Sequence, residues 1–215
     1  MKIIVISGSD GSGKSTILNL LNKHFQDILN LTTKLIWKRH LRFLARIFNL
    51  VMKISGRNKH ENYSWGSIGY HNYDFSLGYV YIILSYIDWI FFLYLEKFKL
   101  FFQNKPLDII LYDRNLPDLI ADLILATKKD KFIYKLFHNQ VKLFMADKDV
   151  IIIRCDPKIS RERRHDLKDD KILHLRDKCY REFSEIYNIQ IIDTSKDTPD
   201  MSLKKILSLL AKNES

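Results

Sequence analysis

The feature that most constrains this chain is a glycine-rich segment near its start, Gly8-Ser9-Asp10-Gly11-Ser12-Gly13-Lys14-Ser15. It fits the pattern G-x-x-x-x-G-K-[ST] in full and uses three of the chain's seven glycines. A short apolar run precedes it and an apolar-periodic segment follows it, so the order predicts strand, loop and helix. Such a loop turns its backbone N–H groups toward phosphate oxygens, and the following helix adds its positive dipole end. The segment therefore predicts a phosphate-binding loop in an α/β protein.

The motif also predicts a nucleotide site that uses Mg²⁺. Lys14 is expected to reach the β- and γ-phosphates of ATP or GTP, and the Ser15 hydroxyl is expected to bind Mg²⁺. Thr16 is the next hydroxyl and is expected at the α-phosphate. The residues predicted to hold the nucleotide are Gly8, Ser9, Asp10, Gly11, Ser12, Gly13, Lys14, Ser15 and Thr16.

Short apolar runs alternate with helical segments along the rest of the chain. Strands are predicted at residues 2–7, 33–37, 108–112, 150–154 and 189–192. Helices are predicted at about residues 13–29, 41–54, 78–102, 117–127, 131–145, 157–164, 170–187 and 202–212. This alternation is typical of βαβ units. We predict a three-layer α/β fold of the P-loop NTPase type, with a five-stranded, mostly parallel sheet flanked by helices.

No linker or repeat marks a boundary, so we expect a single domain over residues 1–215. Residues 55–76 are polar and aromatic and are interpreted as a loop or an excursion from the core. The net charge of +10 favours an anionic partner, such as a nucleotide, nucleic acid or acidic lipid. Two cysteines, Cys155 and Cys179, give no disulfide framework. With no signal-peptide pattern at its start, the chain is expected to be cytoplasmic.

Residues 79–95 are apolar enough to raise the question of a membrane span. Asp88 lies at the centre of this stretch, and a central Asp costs about 2.5–3.5 kcal/mol in a bilayer. Glu96, Lys97 and Lys99 close it. We predict a buried core helix and no transmembrane span, and an interfacial or membrane-associated helix stays open as the alternative.

A second informative stretch is DIILYDRN, residues 108–115. An apolar strand that ends at Asp113 puts a carboxylate at the carboxyl edge of the sheet, where ligands bind in open α/β sheets. Asp113 is expected to hold a metal ion or its water, or to orient an acceptor hydroxyl, and Arg114 to clamp a phosphate. The alternative is a surface ion pair that closes the strand.

Four segments follow the glycine-rich loop in a fixed order, namely LYDRN (111–115), RCDPKISRERR (154–164), HLRDKCYREF (174–183) and IIDTS (191–195). In this order the chain resembles the thymidylate kinase family of P-loop kinases, over most of its length apart from roughly residues 40–76. The resemblance implies kinase activity with ATP and Mg²⁺, and a homodimer. It also implies an acceptor site at Asp113 and Arg114, and a mobile lid at about residues 157–170.

The lid is also supported by a physical argument that does not depend on the resemblance. Arg161 and Arg164 are three residues apart and share a helix face. An arginine that stabilises the transferring phosphoryl group is worth about 10³–10⁵ in rate. Arg161 and Arg164 are therefore predicted catalytic residues beside Lys14, Asp113 and Arg114. A solvated basic helix is the alternative, and which of the arginines from 161 to 164 points inward stays open.

The chain departs from the family pattern at the acceptor side. The family carries a proline- and glycine-rich loop after its second strand, whereas this chain has LIWKRHLRF, residues 35–43, in which Arg39 is predicted to bind an anionic acceptor. The family also has an Asp-Arg pair in its long helix, whereas Asp88 is followed here by Trp89. Trp89 is predicted to contact the substrate, Arg114 and Arg39 to grip it, and residues 40–76 to form a variable acceptor-side insertion.

The function expected from the sequence is therefore transfer of the ATP γ-phosphate to a small molecule other than dTMP, either a nucleoside monophosphate or a nucleoside. Three alternatives stay open: a kinase of a sugar or glycan precursor, a nucleotide-dependent ATPase or switch without an acceptor, and a protein of the membrane surface. A nucleic-acid partner is not expected.

Overall fold

The fold is described from a computed structural model, which covers residues 1–38, 43–57, 59–63, 66–70, 73, 75–102 and 106–212. The strands are β1 Lys2–Gly8, β2 Thr33–Trp37, β3 Lys59–Tyr63, β4 Gly66–Tyr70, β5 Ile109–Asp113, β6 Asp149–Arg154 and β7 Ile191–Asp193. The helices are α1 Lys14–Lys23, α2 Leu44–Ile54, α3 Phe75–Phe101, α4 Leu116–Thr127, α5 Asp130–Met145, α6 Pro157–Arg163, α7 Leu173–Tyr187 and α8 Pro199–Lys212. A π-helical turn, His24–Ile28, extends α1, and a 3₁₀ turn, His165–Leu167, follows α6.

Five strands form one sheet in the order β2-β5-β1-β6-β7, and every neighbouring pair is parallel. The sheet is flanked by helices, so the predicted α/β fold class is confirmed. Because β1 is central, its carboxyl end meets the ends of β5 and β6. The phosphate-binding loop that follows β1 therefore lies at the sheet edge where ligands bind.

The chain divides into two compact units. The first comprises residues 1–39, 106–118 and 140–215 and contains the five-stranded sheet. The second comprises residues 40–105 and 119–139. The expectation of a single domain with an insertion at 40–76 stays a prediction.

One face of the sheet in the first unit carries the main apolar core. Alternate residues of the strands point to the same face, so Ile4, Ile6, Ile109 and Leu111 pack together with Ile151 and Ile153. Helices α1 and α8 cover this face with Ile17, Leu18, Leu21, Ile206 and Leu210, all of them buried. Burial of these side chains fixes the orientation of α1, and hence of the loop that precedes it.

The second unit holds a feature that the sequence interpretation missed. Residues 55–76 were interpreted as a loop or an excursion from the core, and β3 and β4 pair there as an antiparallel ribbon, with Lys59 opposite Tyr70 and Tyr63 opposite Gly66. The two strands were not predicted because the polar run KHENY lacks the alternation of apolar and polar residues that marks a half-buried strand.

Helices α2 and α3 of the second unit are joined through Asp88. Its two carboxylate oxygens accept hydrogen bonds from the backbone N–H groups of Leu44 and Ala45, each at 2.9 Å. These N–H groups lie in the first turn of α2, which lacks intrahelical partners. Asp88 is 4% exposed. The central carboxylate of the long helix is thus a buried cap for a neighbouring helix.

Helix α3 is buried on one face and exposed on the other. Tyr81, Ile82 and Trp89 lie on the buried face, whereas Val80, Ile83, Ile87, Phe91, Tyr94 and Phe98 are exposed. Among the described residues this helix, over Ser76–Leu100, is the one that is long and apolar enough to cross a membrane, with a mean hydropathy of 1.6 and 33% of the apolar window buried. The core helix of a soluble protein meets the same criterion.

Candidate active site

The phosphate-binding loop takes its shape from glycines that no other residue could replace. At Gly8 a Cβ atom would lie 2.0 Å from the carbonyl oxygen of Ile153, so only glycine lets β1 end this close to β6. Gly11 has a φ of +79°, and a Cβ there would lie 2.9 Å from side-chain atoms of Ser160 and Leu167. The loop is therefore packed against the segment that follows β6, the predicted lid.

The start of α1 offers a site for an anion. Gly13 precedes the helix in a left-handed conformation, and its first turn has neither an acidic residue nor a capping bond from Gly13. The exposed N–H groups of such a turn carry the positive end of the helix dipole. Lys14 is buried here, and its Nζ donates a hydrogen bond to the carbonyl oxygen of Ser9 at 2.6 Å. The loop thus brings a cation and backbone donors to one place.

A cavity of about 420 Å³ lies over this loop, entirely within the first unit. It is lined by loop and helix residues between Asp10 and Thr16, by Trp37 at the end of β2, by Asp113 and Arg114 at the end of β5, and by Arg163 and Arg164. The structure therefore brings together the loop, the strand-end pair and two of the lid arginines. All of them surround a space large enough for a small ligand.

Asp113 has the chemistry of a metal ligand or an acceptor-orienting group. Its Oδ1 atom is buried and has no hydrogen-bond partner among the described residues. Burial raises the pKa of Asp113, and the carboxylates of Asp118 and Asp10 raise it further, whereas Lys14 and Arg114 lower it. Ser15 lines the same cavity. A hydroxyl and a carboxylate are oxygen ligands of the kind that Mg²⁺ takes, so the two residues fit such an ion.

Arg114 follows Asp113 in a strained conformation, with a φ of +71°. Its Nη2 atom donates to Asp10 of the phosphate-binding loop, and its Nη1 atom donates to Asp118 of α4 at 3.3 Å. The guanidinium thus lies between two carboxylates. Strain of this kind gathers at functional sites, where the surrounding structure holds it in place.

Helix α7 supports both of these carboxylates. Arg176 donates from Nη1 to the second oxygen of Asp10 at 2.9 Å, and the Tyr180 hydroxyl donates to Asp118 at 2.7 Å. The backbone N–H of Asn115 also donates to Asp118, at 2.9 Å. Arg176 and Tyr180 are four residues apart, so they lie on one face of α7. The sequence singled out HLRDKCYREF only as part of the resemblance, and the polar face of this helix was missed, although the i, i+4 spacing was visible.

The three lid arginines have different positions. Arg161 donates to the backbone oxygen of Asp170 at 3.1 Å and is not among the residues that line the cavity. Arg163 lines the cavity and donates to the backbone oxygen of Thr194 at 2.7 Å. Arg164 lines it as well and pairs with Asp166. Roles of Arg161 and Arg164 in catalysis stay predictions, and Arg163 joins Arg164 as a candidate.

The pKa values of Lys14 and Asp10 in the loop depend on the charges of neighbouring elements. Burial lowers the pKa of Lys14 to about 8, and Arg114 contributes, while nearby carboxylates oppose the shift. Burial alone would raise the pKa of Asp10, but Arg114, Lys14 and Arg176 hold it well below its usual range. Asp10 is therefore a carboxylate at neutral pH.

Two predicted substrate-binding residues remain, Arg39 and Trp89. Arg39 lies outside the described residues. Trp89 belongs to the second unit, where it is 4% exposed within α3. Their roles toward a substrate stay predictions.

No family model and no curated protein sequence matches the chain. Solved structures do match it. Thymidylate kinase from Candida albicans, whose structure is described as revealing an origin of broad substrate specificity, is 16% identical, with a TM-score of 0.53 over 99% of this chain and 92% of that one. Deoxyadenosine kinase from M. mycoides with bound dATP is 20% identical, with a TM-score of 0.48 over 98% and 100% of the two chains. The first of these likenesses shows that this chain has the fold of thymidylate kinase, as its motifs led us to expect.

Proposed function

We propose that this protein is a Mg²⁺-dependent kinase that transfers the γ-phosphate of ATP to a small-molecule acceptor, either a nucleoside or a nucleoside monophosphate. One observation carries the proposal. A single cavity is lined by the phosphate-binding loop, by the strand-end pair Asp113 and Arg114, and by the lid arginines Arg163 and Arg164. The shared fold with thymidylate kinase supports it.

The residues suggest how the reaction would proceed. Lys14 and the N–H groups at the start of α1 would hold the ATP phosphates, and Arg163 and Arg164 would stabilise the charge that develops on the transferring group. Ser15 and Asp113 would hold Mg²⁺, which when bound neutralises phosphate charge. The acceptor oxygen bonds to the γ-phosphorus as the bond to the β–γ bridging oxygen breaks. The electron pair leaves with ADP, and Asp113 or solvent takes the acceptor proton.

The test is an assay of ADP release from ATP and Mg²⁺ with a panel of nucleosides, nucleoside monophosphates and sugars with and without phosphate. We expect one nucleoside or nucleotide to stimulate ADP release. The Lys14→Ala variant should lose about 10²–10³-fold, because one group that stabilises the transferring phosphate is removed. ATP binding with no acceptor-stimulated turnover would instead favour an ATPase or switch. Stimulation by a sugar would favour the sugar kinase.

We also propose that the protein is a homodimer that pairs through α3. The exposed apolar side chains of this helix, from Val80 to Phe98, recur every three or four residues and form a stripe about 27 Å long. Contiguous exposed apolar surface of this kind marks an interaction site. A second copy of the same stripe is complementary to it across a twofold axis.

A cytoplasmic location is part of the proposal. Both cysteines, Cys155 and Cys179, are buried and neither forms a disulfide, which suits a reducing compartment. ATP as the phosphate donor fits the same compartment.

A further inference from the structure

Arg114 lies within a network of paired charges. Within the described residues of the first unit, Arg114 is paired with Asp10 and Asp118, and Arg176 is paired with Asp10. These four side chains form a network in which two cations face two carboxylates. The remaining cavity-lining cations, Lys14, Arg163 and Arg164, belong to the loop and the lid that would hold the ATP phosphates.

The carboxylates in this network are fixed by bonds from several elements. Asp118 is 3% exposed and accepts hydrogen bonds from Tyr180 at 2.7 Å and from the Asn115 backbone at 2.9 Å. Asp10 accepts bonds from Arg114 and Arg176, which lie on different elements. Because polar networks of this kind are cooperative, removing a carboxylate from Arg114 would leave the others incompletely paired.

This arrangement bears directly on what Arg114 can bind. A phosphate monoester carries a charge of about −1.5 to −2 at pH 7, and it is held best by the free fork of an arginine. Here both Nη atoms of Arg114 donate to carboxylates. A phosphorylated acceptor would have to share this guanidinium with Asp10 and Asp118, and its charge would be repelled by both carboxylates. An alcohol without a phosphate meets neither obstacle.

We propose that the acceptor is uncharged: the enzyme phosphorylates the hydroxyl of an unphosphorylated nucleoside rather than that of a nucleoside monophosphate. The inference rests on the proposed kinase function. In the proposed reaction, the ion pairs with Asp10 and Asp118 hold Arg114 in place. Arg114 then orients the sugar of the acceptor or its hydroxyl instead of binding a second phosphate. The bonds made and broken are those of the transfer already described.

The test compares matched pairs of acceptors, each nucleoside against its own 5′-monophosphate, with ADP release and product mass as readouts. We expect the nucleoside of at least one pair to have a kcat/KM ten or more times that of its monophosphate. A preference for the monophosphate overturns the inference and leaves the kinase function standing. If neither member of any pair stimulates turnover while ATP binds, the kinase function fails and the inference falls with it.

A variant tests whether these carboxylates determine the preference for a nucleoside over its monophosphate. Asp118→Asn keeps an acceptor oxygen for Tyr180 but removes the charge beside Arg114, so the ratio of kcat/KM values should move at least tenfold toward the monophosphate. The ratio compares two acceptors on one protein and is insensitive to a partial loss of folded enzyme. Asp200→Asn, at an exposed residue of α8, is the matched control and should leave the ratio unchanged. An unchanged ratio in Asp118→Asn overturns the inference, as would a monophosphate preference that Arg39→Gln abolishes.

Discussion

At the scale of single residues, Asp113 stands out because one of its carboxylate oxygens is buried in the site without a hydrogen-bond partner among the described residues. Asp113→Asn should therefore cost little stability but lower kcat by about 10²–10⁴-fold, as expected for a group that orients or deprotonates the acceptor. Acceptor-stimulated ADP release and thermal unfolding measure the two effects. Asp149→Asn, at the opposite end of the sheet, is the control and should leave kcat within twofold of wild type. Equal losses in both variants would contradict the role of Asp113.

Lys14 gives a prediction about pH. Its pKa is about 8 in the ligand-free protein because the side chain is buried beside Arg114. The phosphates of ATP bind the ammonium form, so the Kd for Mg²⁺-ATP should rise about tenfold between pH 7 and pH 9 as the free amine accumulates. The Lys14→Arg variant keeps its charge throughout this range, so its Kd should stay flat. A flat profile in the wild-type protein would show that the ammonium is not lost on this scale.

At the scale of elements, the start of α2 depends on a side chain from α3. Asp88→Ala removes two hydrogen bonds from a carboxylate to Leu44 and Ala45 and leaves these N–H groups without that partner. The free energy of unfolding should fall by about 2–3 kcal/mol, measured by urea denaturation. Hydrogen exchange should accelerate in the first turn of α2. Lys99→Ala, at an exposed position of α3, should change stability by less than about 0.5 kcal/mol.

The elements that the sequence predicted well share one property. Strands β1, β5 and β6 are short apolar runs between polar segments, because a central parallel strand is buried on both faces. Strand β3 was not predicted because its residues are polar. Its pairing with β4 is local and does not require an apolar pattern. Helix boundaries were correct within a few residues where a cap marked them, as at Asp156 before α6, whose side chain accepts a bond from the Lys158 N–H.

The candidate site could be predicted from the sequence only in part, because some of its side chains come from distant positions in the chain. The loop from Gly8 to Ser15 is contiguous, so its spacing revealed it. The partners of Asp10 lie far along the chain, at Arg114 and Arg176, 104 and 166 positions away. Such pairs come into contact only through the order of strands in the sheet and the docking of α7. No local pattern encodes them, although each residue type was present in a segment that the sequence singled out.

At the scale of the whole molecule, the exposed stripe of α3 makes a prediction about assembly. Ile87→Glu places a charge in the middle of the stripe, so the variant should sediment as a monomer in sedimentation velocity, whereas the wild type should sediment as a dimer. Lys97→Glu, at an exposed residue of α3 that is not one of the apolar residues of the stripe, is the control and should stay dimeric. A wild-type monomer that instead floats with anionic lipid vesicles, and loses this binding in Ile87→Glu, would identify the stripe as a membrane-surface contact.

The position of β1 has a consequence for how the chain comes to be folded. Of the five strands of this sheet, the central one is made first, and it pairs Ile3 with Ile110 and Ile4 with Asp149. Neither partner exists until more than a hundred further residues have been made. During synthesis β1 is therefore an apolar segment without a partner, and closing such long loops slows folding. The same central strand that brings the loop to the middle of the site therefore leaves the nascent chain exposed to aggregation until β5 and β6 have been made.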